Sequence, residues 1–199
     1  MAVLMVLEAP GATTAQYDRA NEIMGIRGDA DAPDGLIQHV AASDGSSIVA
    51  VDVWESEEAL GRFFEERLGR ALAESGIGTD AKPRILPVHN YQSGAATEAG
   101  VLLLVDVDGF TPDLYDRMTA GMDVHGGDGS NHPSVWHAAA LGESGGLVVA
   151  DVWESPEAFG KFAEEEIGPR GAEAGLPQFE PRLIPVHNRM RGKAAQRAA

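Results

Sequence analysis

The chain has no cysteine, so disulfides, thiolate-held metals and a cysteine nucleophile are all excluded. It is poor in positive charge: 15 Lys and Arg stand against 31 Asp and Glu, for a formal net charge of −16. A nucleic-acid or anionic-membrane partner needs a clustered basic surface, and neither partner is expected. Long apolar runs are missing as well. None approaches the roughly 20 residues that span a bilayer. The apolar stretch within Met1–Pro10 has no basic flank before it and no small-residue cleavage site after it, so it reads as a first strand. The expectation is a soluble, cytoplasmic protein. Phosphate-binding glycine loops, dinucleotide fingerprints and serine-hydrolase signatures are absent too, so no organic cofactor is expected.

What the chain does have is a repeat. Val51-Asp52-Val53-Trp54-Glu55-Ser56 returns as Ala150-Asp151-Val152-Trp153-Glu154-Ser155. Each copy reads as a strand turning into a helix: a β-branched run, then a serine N-cap, then glutamates at the positive end of the helix dipole. Asp and Trp have the same parity and share one face of the strand. Val3, Gly11, Tyr17, Arg19, Met24 and His39 recur 98 positions on as Val101, Gly109, Tyr115, Arg117, Met122 and His137. Pro83 to Asn90 recurs as Pro181 to Asn188. One inserted residue near Ser43–Ser47 shifts the middle of the match by one. A copy running from end to end is a duplicated domain.

Each copy yields one order of elements. Val3–Glu8 is a strand apolar enough to be covered on both faces. Ala15–Met24 is a helix, and Leu36–Ala42 and Ile48–Val53 form a hairpin closed at Ser43-Asp44-Gly45-Ser46. Ser56 opens the longest helix, with Leu60, Phe63, Phe64, Leu68 and Leu72 at helical spacing. In the second copy Gly168-Pro169 is expected to end or kink that helix. Arg84–His89 is the last strand, and Pro87 within it suggests an edge or a bulge. The order β-α-β-β-α-β, twice, is an α+β, tandem ferredoxin-like arrangement. Repeat 1 is expected at 1–91, a linker at 92–99, repeat 2 at 100–189 and a disordered tail at 190–199. A sheet with helices on one face needs cover on the other, which a second copy in the same chain supplies as a pseudo-dimer.

Trp-Glu-Ser-x-Glu-Ala opening the second helix of such a repeat resembles the dimeric α/β-barrel superfamily. It is most similar to the small antibiotic-biosynthesis-monooxygenase-like proteins. The resemblance covers Val3 to Asn90 and Val101 to Asn188. It implies an intramolecular α/β-barrel, and a relative of cofactor-independent monooxygenases of aromatic polyketides, polyketide cyclases, muconolactone isomerases, haem-using enzymes or proteins of no known activity. Fold alone does not choose among these.

Several residues recur where chemistry would need them. His39 and His137 lie mid-strand, suited to a general base facing a cavity or to a half-buried structural role. Burial against aromatics would hold such an imidazole neutral near pH 7. His89 and His187 close the last strand; similar cyclases place a catalytic histidine there, and a strand-end cap is the alternative. Asn90 and Asn188 follow them as substrate-binding candidates. Asp52 and Asp151 sit in otherwise apolar strands and need partners, for which Arg84 and Arg182 are expected as structural ion pairs, with acid/base catalysis the alternative. Trp54 and Trp153 match the family position of an aromatic that borders the pocket and could stack on a flat substrate; a core tryptophan with a bonded indole N–H is the alternative. Tyr17 and Tyr115, on the first helix, are substrate donors or anchors. Two histidines per copy raise the question of a metal, but ligand spacing motifs are absent and none is expected. His125 and His132 occur in the second copy only, in a Gly/Asp-rich loop where a metal site is not expected. Gln38 against Trp136, Phe64 against Ala163 and Arg27 against His125 imply two pockets of unequal shape.

The function expected is a small-molecule enzyme without organic cofactor. Histidine-assisted proton abstraction on a hydrophobic, aromatic or polyketide-like substrate would lead to oxygenation, cyclisation or isomerisation. A non-catalytic ligand-binding or stress-associated barrel is the alternative, and a metal- or haem-dependent enzyme the third reading.

Overall fold

The computed structural model describes residues 1–78, 82–120, 122, 132–193 and 195. Strand β1 (Val3–Pro10) leads into helix α1 (Thr14–Met24), and β2 (Leu36–Ser43) and β3 (Ser47–Trp54) form the hairpin. Helix α2 begins as Glu57–Phe63, passes through a π turn at Phe64–Leu68 and ends as Gly69–Ser75; β4 (Arg84–Ser93) follows. The second copy repeats this as β5 (Val101–Val107), α3 (Pro112–Thr119), β6 (Trp136–Leu141) and β7 (Leu147–Trp153). Helix α4 then runs through Pro156–Phe162, a π turn at Ala163–Ile167 and Gly168–Ala174, and β8 spans Arg182–Arg191. The strands are hydrogen-bonded in the closed order β1-β3-β2-β8-β5-β7-β6-β4, and every paired ladder is antiparallel. This is the α+β, tandem ferredoxin-like class read from the sequence. Among the described residues no helix is long and apolar enough to cross a membrane.

Contacts divide the chain into two compact units, Met1–Pro87 with Val186–Ala199, and Val88–Pro185. The division falls at a proline in β4 and again in β8. Arg84 to Pro87 pair with β1, and from Val88 onward β4 pairs with β6. Likewise Arg182 to Pro185 pair with β5, and from Val186 β8 pairs with β2. A residue without an N–H suits the point where a ladder changes partner. The strand ends also run further than expected. β4 takes Gln92 and Ser93 from the expected linker, and β8 takes Met190 and Arg191 from the expected tail, because Met190 is buried in the first core. Residues 194 and 196–199 lie outside the described residues.

In the first unit α1 and α2 cover one face of the sheet. Val3, Met5 and Leu7 of β1 and Ala50 and Trp54 of β3 pack there against Leu60 and Leu72. The alternate residues Leu4, Val6, Val49, Val51 and Val53 are buried on the other face, as a strand apolar on both sides requires. The second unit repeats the pattern with Val101, Leu103 and Val105 against Leu114, Tyr115 and Phe159. Thr13 and Thr111 cap the first helix of each copy, Thr13 in a reciprocal box with Gln16.

Helix α4 is not broken at Gly168-Pro169. The π turn lies just before these residues, Pro169 falls in the first turn of the segment that resumes, and the helix continues to Ala174. The same turn occurs in α2, which has no proline. The widened turn is therefore a feature of the repeat and not a response to proline.

Candidate active site

Between sheet and helices each unit encloses a cavity, of about 60 Å³ in the first and about 70 Å³ in the second. The hairpin register sets the first polar pair of each wall. His39 stands directly across from Asp52 on the helix-covered face, and His137 across from Asp151. The first helix supplies a tyrosine four residues after its threonine cap, so Tyr17 and Tyr115 point back at these histidines.

The result is one hydrogen-bonded chain per copy. Asn188 Nδ2–H donates to the Tyr17 oxygen at 2.8 Å, which lies 2.7 Å from His39 Nε2. His39 Nδ1 is 2.6 Å from Asp52 Oδ1, and the Trp54 indole N–H donates to Asp52 Oδ2 at 3.2 Å. In the second copy Asn90 to Tyr115 is 2.9 Å, Tyr115 to His137 is 2.7 Å and His137 to Asp151 is 2.6 Å. The ring planes of Tyr17 and His39 are within 3° of parallel, those of Tyr115 and His137 within 7°. One link differs. The buried Trp153 indole N–H has no partner among the described residues.

Charge at these sites is set by competition. Burial opposes a charged imidazole at His39, but the Tyr17 oxygen and the Asp52 carboxylate outweigh it and raise His39 to about 10. The sequence argument that burial would keep this histidine neutral near pH 7 is corrected here: two partners at hydrogen-bond distance win over desolvation. At Tyr115 burial pushes the phenol up, against the lowering effect of the Asn90 amide.

The other sequence candidates fall as follows. His89 and His187 are not in the cavity wall. Each bonds a surface carboxylate, Asp116 at 2.7 Å and Asp18 at 2.8 Å, and stands edge-on to the tyrosine ring. Asp52 and Asp151 do not pair with Arg84 and Arg182. Their partners are the cross-strand histidines: Asp52 pairs with Met5 and Arg84 with Val6, Asp151 with Leu103 and Arg182 with Leu104, so the register puts each arginine on the other face of the sheet. Trp54 lines the first cavity. Trp153 packs against Phe159, Phe162 and His132. Trp136 is fully buried. His125 lies outside the described residues. No group of three or more His, Asp or Glu side chains suited to a metal occurs among the described residues.

Two features were missed in the sequence. His132, assigned to a loop, is buried and lines the second cavity. The π turns were read as regular helix, yet Leu68 and Ile167 at their ends reach the cavity walls; π turns are rare and recur at functional sites.

No family model and no curated protein matches the chain. Solved structures do. A candidate monooxygenase from Fusobacterium nucleatum subsp. nucleatum is similar with a TM-score of 0.69 at 9% identity, over 96% of this chain and 94% of that one. A second, from Lactobacillus acidophilus, has a TM-score of 0.66 at 11% identity, over 96% of both chains. An anthrone oxidase-like protein is similar with a TM-score of 0.53 at 16% identity, over 96% of this chain and 92% of that one. At these identities the likeness is one of fold, and it is the fold that the sequence repeat resembles.

Proposed function

Taking the dimeric α/β-barrel fold as the frame, we propose that this protein is a small-molecule, monooxygenase-type enzyme. Its catalytic unit is the Tyr–His–Asp chain of each copy, Tyr17–His39–Asp52 and Tyr115–His137–Asp151. The observation that carries the reading is that chain itself: four polar groups joined at 2.6 to 2.9 Å in each copy, of which the tyrosine, histidine and aspartate line a largely apolar cavity.

The base form has a neutral histidine. Its Nδ1–H donates to the aspartate, and its Nε2 accepts from the tyrosine hydroxyl. As the phenolic proton passes to Nε2, the tyrosine oxygen takes a proton from the substrate, and the asparagine amide steadies that oxygen throughout. Asp52 or Asp151 then balances the imidazolium, the role a buried carboxylate plays in a triad. With His39 at about 10, the relay is a strong base, matched to enols, phenols and carbon acids. The substrate is a CH₂ beside a carbonyl. It loses a proton to the relay, its enolate reduces O₂, and the carbon ends as C=O with the second oxygen atom leaving as water.

Each cavity is below half of the ~150 Å³ that admits benzene. A polycyclic substrate therefore requires α2 or α4 to yield at its π turn, and small ketones are the first probes. The experiment follows α-proton exchange of cyclopentanone in D₂O by NMR and O₂ uptake with anthrone. Exchange above the buffer rate, lost in a Tyr17→Phe, Tyr115→Phe double variant, is the expected result. No exchange and no O₂ uptake overturns the proposal and favours a non-catalytic binding protein, the reading that the small cavities support.

A further inference from the structure

Asn21 stands where the first cavity meets the surface. It lines that cavity together with Tyr17, and it also lines a groove of about 460 Å³ on the outside of the same unit. Ile26 and Met190 are shared by cavity and groove in the same way. Asn188, whose amide bonds the Tyr17 oxygen, lines the groove as well. The outer end of the first relay and the wall of its cavity therefore meet at one place. We propose that the first copy binds a keto acid there, with the ketone at Tyr17 and the carboxylate in the groove at Asn21 and Arg27. This rests on the proton-abstraction reading above and names the substrate class of one site.

The end of α1 builds the arrangement. Asn21 lies one turn beyond Tyr17, so the two side chains share a helix face, about 5–6 Å apart at Cβ. Gly25, at φ 72°, then turns the chain, and the Asn21 carbonyl accepts from both Gly25 N–H and Ile26 N–H. That reversal buries Ile26 in the core and leaves Arg27 in the groove, its backbone N–H bonded to Asp31 Oδ2 at 3.0 Å. Neither the Asn21 amide nor the Arg27 guanidinium has a hydrogen-bond partner among the described residues. The two carboxylates of the groove are engaged, Asp18 by His187 at 2.8 Å and Glu22 by Arg19 at 3.1 Å. What remains is an amide and the charge of Arg27, with Arg189 also in the lining. In the second copy the residue aligned with Asn21 is Thr119, which gives its hydroxyl proton to the Tyr115 carbonyl at 2.8 Å.

A carboxylate fits that remainder, since it can accept from an amide N–H and a guanidinium at once. The cavity, at about 60 Å³, takes the small ketone end, and the groove takes the acid arm. When a C–H beside the ketone breaks, its proton goes to the Tyr17 oxygen and the phenolic proton to His39 Nε2. The electron pair becomes the enolate, which the arm holds in place until a proton returns. The net charge of −16 gives no long-range pull on an anion, so recognition falls to these contacts.

The test uses the full chain with Tyr115→Phe, so that exchange reports the first relay alone. Levulinate is the keto-acid probe; methyl levulinate and 2-pentanone offer the same methyl ketone without the charge. Levulinate should bind about tenfold tighter than either, the scale of one hydrogen bond to a charged group, and should shift the Asn21 and Arg27 side-chain signals in ¹⁵N NMR. Asn21→Asp, the same shape with a repelling charge, and Arg27→Gln should each remove that preference. Arg27→Lys, which keeps the charge, should restore part of it. Near-UV circular dichroism checks that the variants fold. Levulinate bound no tighter than methyl levulinate, or bound with Asn21 and Arg27 unshifted, overturns the inference. Tight levulinate binding without α-proton exchange upholds the keto-acid site and counts against the relay instead, which has its own test in Tyr17→Phe, Tyr115→Phe.

Discussion

The Tyr17 oxygen lies 2.7 Å from His39 Nε2, and Tyr115 repeats that distance to His137. The partners are 22 residues apart in both copies. In the proposed mechanism a phenol, not the histidine alone, is therefore the group that takes the substrate proton. Tyr17→Phe in a chain whose second relay is disabled by Tyr115→Phe should lower α-proton exchange by about 10²- to 10⁴-fold, the usual scale for a general base. His39→Asn should do the same, and His187→Ala should cost less than tenfold. NMR exchange rates and far-UV circular dichroism check all three.

The pH profile follows from the same pair. His39 is raised from 6.5 to about 10, so the neutral, proton-accepting form grows as pH rises. In a Tyr115→Phe background, exchange rate should climb about tenfold per pH unit through neutral pH and level off near 10. A bell centred near pH 7 would contradict it.

Stability should run the other way. In the unfolded chain His39 titrates near 6.5, and in the folded one near 10. Between these values the folded state holds a proton that the unfolded state does not, so unfolding free energy falls as pH rises. The stabilisation is complete below pH 6.5 and is lost through pH 10. Thermal unfolding of wild type should drop across that window, and His39→Asn should flatten the slope. Differential scanning calorimetry decides it.

Gly94 and Gly192 are among the glycines that admit no side chain. A Cβ on Gly94 would overlap the Ser134 carbonyl, and one on Gly192 the Leu36 carbonyl. Backbone bonds hold these approaches, Gly94 N–H to Val135 O at 2.9 Å and Gly192 N–H to Ile37 O at 2.9 Å. Gly94→Ala and Gly192→Ala should each cost about 1–3 kcal/mol of stability, measured by urea denaturation.

Residues 1–96 expressed alone lack Val186–Arg191, the strand that pairs with β2 in the full chain. The fragment should form a homodimer or aggregate, and light scattering showing a stable monomer would refute this.

Much of the architecture was legible because it rests on local periodicity. Val3 to Glu8, the hairpin and the serine-capped helix are each written within a dozen residues. The site was legible only in part. His39 and His137 stood out by recurring mid-strand, and the hairpin turn already placed His39 across from Asp52, a signal that could have displaced the Asp–Arg pairing. Asn188 stood among the substrate-binding candidates, but its bond to Tyr17 was out of reach in a different way. It lies 171 residues from Tyr17, and only the crossing of β8 at Pro185 brings them together. His132 does lie outside helix and strand, and its burial was hidden because Gly and Asp surround it. The π turns hid because Leu60, Phe63, Phe64, Leu68 and Leu72 fit an ordinary helix to within the extra residue.

The change of partner at Pro87 and Pro185 has a bearing on ancestry. Tyr17, His39 and Asp52 come from the first repeat but are completed by an asparagine encoded in the second, and Tyr115 borrows in return from the first. A single-repeat chain with this architecture could complete the same set of hydrogen bonds only by pairing with itself. After duplication, a change at Asn90 or Asn188 is felt in the opposite repeat. The end of each last strand is thereby tied to the first helix of the other repeat, whereas the cavity walls differ between the repeats, as at His132.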